Sequence, residues 1–304
     1  MIKMNKDLTL LVLAAGMGSR FGGLKQIEPV GPNGEFIIDY SIKDATIAGF
    51  TKVVFVIKEE NYDIFKDTIG KRVEDKIKVE YAFQKNTDVP NGVNIPEERV
   101  KPLGTAHAIY STRDLIHENF ATINADDFYG RDAYMKAAEF LRNCEDNQYG
   151  MVAYKVGNTL TKNGSVKRGI VFEENSNLEK LIESSIIEKD GIAECSPLDG
   201  SESFTISLDQ PVSMNLFCLT RNLLDYVVED IENFFTNPEN DLTSCEYLLP
   251  NVVFDSSVKE NKPIKIVTTD SKYLGMTYRE DVEELKEGIL KEIEKGTYDN
   301  NLWG

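Results

Sequence analysis

Apolar residues in the first half of the chain fall into short runs that are almost unbroken. Residues 8–14 read Leu-Thr-Leu-Leu-Val-Leu-Ala and stop before a glycine-rich segment, which is typical of a strand buried on both faces of a sheet. Three more runs have this character, at 52–57, 77–83 and 120–125. Between the first two runs, apolar residues recur at helical spacing from 37 to 48, and Gly49 stands where a helix cap is expected. Strands that alternate with helices predict a parallel sheet with right-handed crossovers.

After Gly150 the pattern changes to shorter strands, which predicts an antiparallel extension of the same sheet. These strands are expected at 151–156, 169–173, 178–183 and 212–219, with a last one at 264–268. Further helices are expected at 61–69, 105–113, 132–142, 221–235, 242–249 and 279–294. No segment has the Pro, Ser or Gly content of a linker, so we expect an α/β fold in a single domain that spans residues 1–304.

Composition and charge restrict the class of protein and of partner. The chain has 304 residues, of which 41% are hydrophobic and 28% charged, values close to globular averages. Its net charge of −17 would repel polyanions, so neither a nucleic acid polymer nor an anionic membrane is an expected partner. No stretch approaches the ~20 apolar residues of a membrane span.

The four cysteines lie far apart and form no C-x-x-C pair, so the sequence indicates neither a zinc site nor a disulfide framework. Reduced thiols are typical of a cytoplasmic protein. The N-terminal apolar run and its basic flank loosely match a secretion signal. Because the run is short and Asp7 interrupts the flank, we expect a cytoplasmic location instead.

The loop that follows the first strand carries the most informative chemistry. Residues 13–25 read LAAGMGSRFGGLK, with four glycines and two cations, Arg20 and Lys25. Backbone amides without side chains in the way can approach phosphate oxygens, and the cations neutralise their charge. Residues 1–26 contain four basic residues and one acidic residue, a local charge of +3 in an acidic chain. The loop therefore predicts an anion site, with a tight turn whose glycines serve only the backbone geometry as the alternative.

Two familiar phosphate loops do not fit this segment. In the Walker pattern a lysine follows the second glycine of G-x-x-x-x-G, whereas Gly23 is followed by Leu24. In the dinucleotide pattern G-x-G-x-x-G, Phe21 occupies the place of the third glycine, where close helix–strand packing leaves no room for a side chain. An oxidoreductase that binds NAD is therefore disfavoured.

The same loop resembles the signature of the sugar-phosphate nucleotidyltransferases, the family of the NDP-sugar pyrophosphorylases. Further segments match in the family's order and approximate spacing: Phe83-Gln84, Pro102–Ala108, Asn124–Asp127 and, more weakly, Val212–Phe217. The resemblance covers most of residues 8–280. It implies a Rossmann-like, three-layer fold with a mixed, mostly parallel sheet. A nucleotide-binding half would span about residues 1–150, and the sugar-phosphate side and C-terminal helices about residues 151–304.

Carried over position by position, the resemblance implies a site with three parts. The nucleotide would be contacted by Ala14, Ala15, Gly16, Gly18, Gln84, Gly104 and Thr105, of which Gln84 and Gly104 would read the base. Catalysis would depend on Arg20 and Lys25 at the phosphates and on Asp126, which would hold Mg²⁺. Glu183 and Asn215 fall near positions that hold the sugar, although their flanking residues differ. Gly275 replaces the family's second metal aspartate, so the second metal ligand is left open.

Independently of the resemblance, Asp126 follows the carboxyl end of a predicted parallel strand. Ligands of open parallel sheets bind beyond these strand ends. Asp126 or Asp127 could alternatively cap the helix that comes next. His107 lies in a short predicted helix and is not expected to be catalytic, since no serine elbow accompanies it.

The predicted reaction converts an NTP and a sugar 1-phosphate into an NDP-sugar and pyrophosphate, with Mg²⁺. The attacking phosphate oxygen is already anionic, so charge neutralisation and alignment matter more than a general base. Two alternatives stay open: a cytidylyltransferase for an alcohol phosphate such as phosphocholine, and a non-catalytic sensor that binds a nucleotide or NDP-sugar. The sequence selects neither base nor acceptor. The acidic C-terminal helix could pack on its own core or on a second copy of the chain, which makes a homo-oligomer a candidate assembly.

Overall fold

The computed structural model describes residues 7–16, 27–162, 164–276 and 280–304. Within these ranges eleven strands form one sheet, and two short strands pair apart from it. The strands are β1 (Leu8–Leu13), β2 (Lys52–Ile57), β3 (Lys78–Phe83), β4 (Asn119–Asn124), β5 (Asp127–Phe128), β6 (Gly150–Lys155), β7 (Val166–Glu174), β8 (Asn177–Lys189), β9 (Ile192–Pro197), β10 (Phe204–Ile206), β11 (Pro211–Leu219), β12 (Lys265–Thr269) and β13 (Leu274–Gly275). The helices are α1 (Ile37–Ala48), α2 (Tyr62–Phe65), α3 (Lys71–Val73), α4 (Thr105–Tyr110), α5 (Arg131–Asn143), α6 (Arg221–Thr236), α7 (Leu249–Lys259) and α8 (Asp281–Glu294). Not one of these helices combines the length and the apolar character needed to cross a membrane.

The first half of the chain forms the parallel sheet that the sequence predicts. β1 pairs in parallel with β2 on one side and with β4 on the other, and β2 pairs in parallel with β3. Almost every residue of β1 and β2 is buried, as expected for strands covered by helices on both faces. Leu10 and Val12 face the layer of α1 and α5, whereas Leu11 faces the layer of α4, α6 and α7. The expected three-layer α/β fold with a mixed sheet is confirmed. The expectation that this sheet is mostly parallel is wrong for the described strands, because four of their pairings are parallel and seven are antiparallel.

The second half extends the sheet mainly in antiparallel fashion, as predicted. Strands β7 to β10 pair in sequence as an antiparallel meander. β11 is antiparallel to β6, and its other edge changes partner, from β4 at Cys218 to β7 at Ser213. The register of β11 shifts between these two pairings, and Asn215 lies in the irregular stretch with a φ of 60°. Along this edge of β11, the hydrogen-bonded neighbour therefore changes from β4 to β7 across the irregular stretch.

The acidic C-terminal helix packs on its own chain. Leu285 and Ile289 of α8 join a buried cluster that includes Tyr40 of α1 and Phe128 of β5. Farther along, the hydroxyl of Tyr298 lies 2.5 Å from a carboxylate oxygen of Asp44 in α1. The apolar face of α8 is thus used within the chain, and a homo-oligomer stays a prediction.

The helix expected over residues 242–249 is wrong. Residues 242–248 are not helical, and α7 begins at Leu249 with Pro250 in its first turn, where a missing N–H is tolerated. The side chain of Asp241 accepts hydrogen bonds from Thr243 and Ser244. Such bonds favour a turn over a helix, which explains why the helix starts late.

Three other local expectations differ from the structure. The second helix does not end at Gly70 but continues through a π-helical turn to Val73. Gly104, not Thr105, occupies the cap position of α4, and the Thr105 hydroxyl instead accepts a hydrogen bond from the N–H of Leu249. Strand β8 continues to Lys189, and β9 and β10 were not expected.

Candidate functional site

A pocket of about 220 Å³ opens at the carboxyl ends of β1 and β4. These ends meet at one edge of the sheet because the two strands are parallel neighbours. The pocket is lined by Leu13, Ala15, Gly16, Val56, Gln84, Pro102, Gly104, Thr105, Ala108, Asn124, Asp126, Glu246 and Leu248. A second cavity, of about 480 Å³, shares Ala15, Gln84 and Pro102 with it, so the two adjoin one another.

The structure brings together several residues that the sequence assigns to the site. Six of them line the pocket: Ala15, Gly16, Gln84, Gly104, Thr105 and Asp126. Ala14 belongs to the apolar cluster under α1 and lines a different, small cavity, because neighbouring residues of a strand face opposite sides. Gly18, Arg20 and Lys25 lie outside the described residues.

Gly104 shapes one wall of the pocket through a backbone conformation that suits glycine. Its φ is 112° and its ψ is 173°, a combination populated almost only by glycine. A Cβ at this position would lie 2.6 Å from the backbone nitrogen of Tyr247. Tyr247 is fixed against this turn, since its N–H donates to Leu103 and its carbonyl accepts from Ala106. Two backbones therefore meet here, and the wall they form has little freedom to move.

Gln84 reaches the same wall from the end of β3. Its amide nitrogen Nε2 donates to the Gly104 carbonyl at 2.8 Å and lies 3.2 Å from Nδ1 of His107. The other ring nitrogen of His107 lies 2.8 Å from the carbonyl of Asp88. His107 is fully buried, and this burial lowers the pKa of its imidazole. Sequence reasoning missed His107 because no motif records a contact with a residue 23 positions away.

Asp126 and Asp127 are neighbours with different surroundings. Asp126 is half-buried and lines the pocket. Asp127 is buried in β5, where Nδ2 of Asn124 donates to its Oδ2 at 2.8 Å. Burial, followed by the nearby charge of Asp126, raises the pKa of Asp127 to about 7. Neither aspartate caps α5, whose cap position is Gly130, so the capping alternative is wrong.

Gly275 stands opposite Asp127 in the short pairing of β5 with β13. A Cβ at Gly275 would lie 3.3 Å from Oδ1 of Asp127, so the Asp127 carboxylate borders the space that a side chain at 275 would need. Across the described ranges, no group of three or more His, Cys, Asp or Glu side chains could hold a metal ion. The Asp126 carboxylate still fits Mg²⁺, which often takes one or two protein carboxylates and completes its shell with water and substrate phosphates.

Glu183 and Asn215 lie in β8 and β11, in the antiparallel half of the sheet. Glu183 of β8 and Ser213 of β11 both pair with Gly169 of β7. A Cβ at Gly169 would lie 3.0 Å from Oε1 of Glu183, so the glycine leaves room for that carboxylate, whose pKa burial raises. Asn215 has an exposed side chain, and its carbonyl accepts a hydrogen bond from the hydroxyl of Thr122 in β4 at 3.1 Å. Neither residue lines the pocket described above.

Arg168 of β7 is a cation on this side that sequence reasoning missed. Its guanidinium lies 5.3 Å from the centroid of the Tyr273 ring and donates to the Thr159 carbonyl at 2.7 Å. Burial raises the pKa values of Asp127 and Glu183, and the charge of Arg168 opposes that effect at both. Arg168 and Tyr273 also line a cavity of about 350 Å³. This part of the molecule therefore combines two carboxylates with a fixed positive charge.

Comparison with known proteins relates this architecture to one family. A family model described as nucleotidyl transferase matches residues 9–263. No curated protein matches the chain. One similar solved structure is an inositol-1-phosphate CTP transferase from T. maritima, with a TM-score of 0.58 and 15% identity over 92% of this chain and 95% of the other. A second is a Bacillus anthracis protein described as a putative glucose-1-phosphate thymidylyltransferase, with a TM-score of 0.61 and 12% identity over 92% of this chain and 94% of the other. A third is a UDP-glucose pyrophosphorylase complexed with UDP-glucose, with a TM-score of 0.57 and 17% identity over 94% of this chain and 99% of the other. Similarity at these identities shows a shared fold and leaves the substrate open.

Proposed function

Because the chain belongs to the nucleotidyl transferase family, we propose that it transfers the nucleotidyl group of an NTP to a sugar 1-phosphate. An oxygen of the sugar phosphate attacks the α-phosphorus and forms a new P–O bond. The bond from the α-phosphorus to the oxygen of the β-phosphate breaks, and pyrophosphate leaves. The observation that carries the proposal is the convergence of Gln84, Gly104 and Asp126 on one pocket at the carboxyl ends of β1 and β4.

The nucleotide would occupy this pocket and be bound by the half of the chain before about residue 150. Gln84 and Gly104 would contact the base, and Ala15, Gly16 and Thr105 the rest of the nucleoside, since all five line the pocket. The segment that directly follows Gly16 in sequence contains Gly18, Arg20 and Lys25, which we assign to the phosphates. Arginine and lysine suit this role because they donate charge-assisted hydrogen bonds to phosphate oxygens.

Asp126 would hold Mg²⁺, as the pocket carboxylate that follows the end of β4. When bound, the ion would neutralise charge on the phosphates and orient them. Glu183 and Asn215 would hold the acceptor, in the half of about residues 151–304. Carboxylate and amide groups suit this part because both can bond sugar hydroxyls.

A second candidate is cytidylyl transfer to an alcohol phosphate. It is supported by the fold shared with a protein whose name specifies inositol 1-phosphate and CTP, over 92% of this chain. Both candidates use the same attack on the α-phosphorus and differ in base and acceptor.

The test is pyrophosphate release from a panel of NTPs, each with glucose 1-phosphate, inositol 1-phosphate or phosphocholine, with and without Mg²⁺. We expect Mg²⁺-dependent turnover of at least one pair with a sugar 1-phosphate. Turnover only with CTP and an alcohol phosphate would select the second candidate. Nucleotide binding without any turnover would identify a sensor and overturn the proposal.

The variant Asp126→Asn tests the role of the carboxylate. It should lower the rate by about 10²-fold or more, because it removes the proposed metal ligand. The matched control is Asp132→Asn, since Asp132 accepts a hydrogen bond from Thr269 at 2.6 Å, a role that an amide oxygen can fill. Equal activity of the two variants would show that Asp126 has no part in catalysis.

A further inference from the structure

The side chain of Gln84 has its amide orientation fixed by its partners. The Gly104 carbonyl can only accept, so the atom that lies 2.8 Å from it must be the amide nitrogen. The second hydrogen of the same nitrogen points to Nδ1 of His107 at 3.2 Å. Both amide hydrogens are thus used, and the described residues give Oε1 of Gln84 no hydrogen-bond partner. Gln84 lines both adjoining cavities, so Oε1 is the atom of this amide that a ligand there can use.

The tautomer of His107 follows from the same logic. Its Nε2 lies 2.8 Å from the Asp88 carbonyl, which can only accept, so Nε2 carries the hydrogen. In the neutral ring Nδ1 then has a lone pair and must accept from Gln84. The Asp88 carbonyl, which accepts the hydrogen bond from Nε2, is itself held in place. The side-chain carboxylate of Asp88 binds Arg113 through two hydrogen bonds of 2.8 and 2.9 Å. The imidazole therefore connects Gln84 to a fixed point of the long loop.

We propose that His107 is a positioning residue, which locks the Gln84 amide with its oxygen available to the base and thereby sets the choice between nucleotides. The proposal rests on the nucleotide-binding function proposed above for the same pocket.

The physical reason lies in the arrangement of hydrogen-bond donors and acceptors on the pyrimidine bases. Uracil carries a hydrogen at ring position 3 and an oxygen at position 4, whereas cytosine carries a lone pair at position 3 and an amino group at position 4. At either position 3 or position 4, a locked acceptor pairs with one of the two bases and opposes the other. A glutamine that is free to rotate can present either its oxygen or its NH₂ group and so can pair with both. A buried polar group left unpaired costs about 1–3 kcal/mol, which corresponds to roughly 5- to 160-fold in affinity.

The test compares kcat/KM for UTP and CTP with one acceptor, and the Kd of each nucleotide, in the full-length protein. Wild type should separate the two nucleotides by roughly tenfold or more, in either direction. His107→Phe keeps a flat ring but has no lone pair for Gln84, so one of the two hydrogen bonds that hold the amide is lost and the ratio should fall. His107→Gln supplies an acceptor and a donor and should restore part of the ratio. Ser111→Ala is the matched control, because it removes a hydrogen bond to the carbonyl of His107 at 3.0 Å and leaves the ring untouched.

A double mutant separates positioning from general structural damage. If His107 acts through Gln84, His107→Phe should no longer change the UTP/CTP ratio in a Gln84→Ala background, whereas its effect on stability should persist. Should His107→Phe not fold, Gln84→Ala alone must narrow the ratio. A wild-type ratio near one, an unchanged ratio in His107→Phe, or an undiminished effect in the Gln84→Ala background would each overturn the proposal. The Kd values keep this test independent of turnover, so loss of the proposed enzymatic function would not obscure it.

Discussion

Replacement of Gly104 by alanine tests whether the close approach of two backbones shapes the pocket that we propose for the nucleotide. The φ of 112° and ψ of 173° lie in a region that costs a residue with a Cβ about 1–3 kcal/mol. The added methyl group would also lie 2.6 Å from N and 2.8 Å from C of Tyr247, and overpacking of this kind costs about 1–3 kcal/mol more. We therefore expect Gly104→Ala to lower the free energy of unfolding by about 2–6 kcal/mol.

The matched control is Gly92→Ala, in the loop that precedes α4. Gly92 also has a positive φ, of 93°, but a Cβ there would meet nothing within 4 Å. This variant should therefore show only the conformational cost. Unfolding in urea can be followed through the fluorescence of Trp303, the single tryptophan of the chain.

Nucleotide affinity provides the second measurement for this pair of variants. Gly104→Ala should weaken NTP binding, since Tyr247 is tied to Leu103 and Ala106 and the strain must move the pocket wall. Gly92→Ala should bind like the wild type. Equal losses of stability in the two variants would refute the reasoning, because the contact with Tyr247 would then contribute nothing.

Three further predictions concern buried charged groups. Arg99 is buried and donates hydrogen bonds to the carbonyls of four residues around the long loop. Arg99→Met should therefore destabilise the protein by about 3 kcal/mol or more and expose residues 85–101 to limited proteolysis. Arg99→Lys should recover only part of this loss of stability. Burial raises the pKa of Asp44 from 3.8 to about 6, so the folded state holds this proton more tightly than the unfolded one. The resulting stability is complete below pH 3.8 and is lost as the pH rises through 6, and a urea series at several pH values should show a loss of roughly 3 kcal/mol that is absent in Asp44→Asn. Lys52 is buried, and its Nζ lies 2.7 Å from Oε1 of Glu118. Lys52→Met should therefore lower the free energy of unfolding by about 3–5 kcal/mol, measured by thermal or urea unfolding. A stability equal to wild type would show that the ion pair contributes nothing.

The parallel half of the fold was predictable because strands buried on both faces consist of apolar runs. The same half contains α1, whose end at Gly49, with a φ of 89°, matches the expected cap. The antiparallel half was harder, because its strands expose one face and alternate with polar residues. β8 was expected to end at Glu183 but continues through Ser184 and Ser185, which in sequence resemble a turn. Pairing across the sheet, not local preference, keeps these serines in a strand.

The site was predictable only as far as local motifs reach. Gln84, Gly104 and Asp126 lie in segments that resemble the family, and the structure places all three in one pocket. His107 and Arg168 make contacts between distant parts of the chain, with Gln84 and with the Tyr273 ring, and residue type and spacing do not reveal such contacts. For the same reason the sequence could not distinguish a helix cap from the turn at Asp126 and the strand that begins at Asp127.

The charges of the pocket explain why base selection and phosphate binding should be separate parts of the site. Asp126 and Glu246 line the described pocket, and none of its described lining residues is a lysine or an arginine. A polyphosphate beside these carboxylates is repelled by about 1–4 kcal/mol for each pair of charges 4 Å apart, so cations must come from elsewhere. The sequence offers Arg20 and Lys25 shortly after β1, and a divalent ion at Asp126 would convert one repulsive group into a ligand. Variants of His107 should therefore change which nucleotide is used, whereas variants of Asp126 should change how fast any nucleotide reacts.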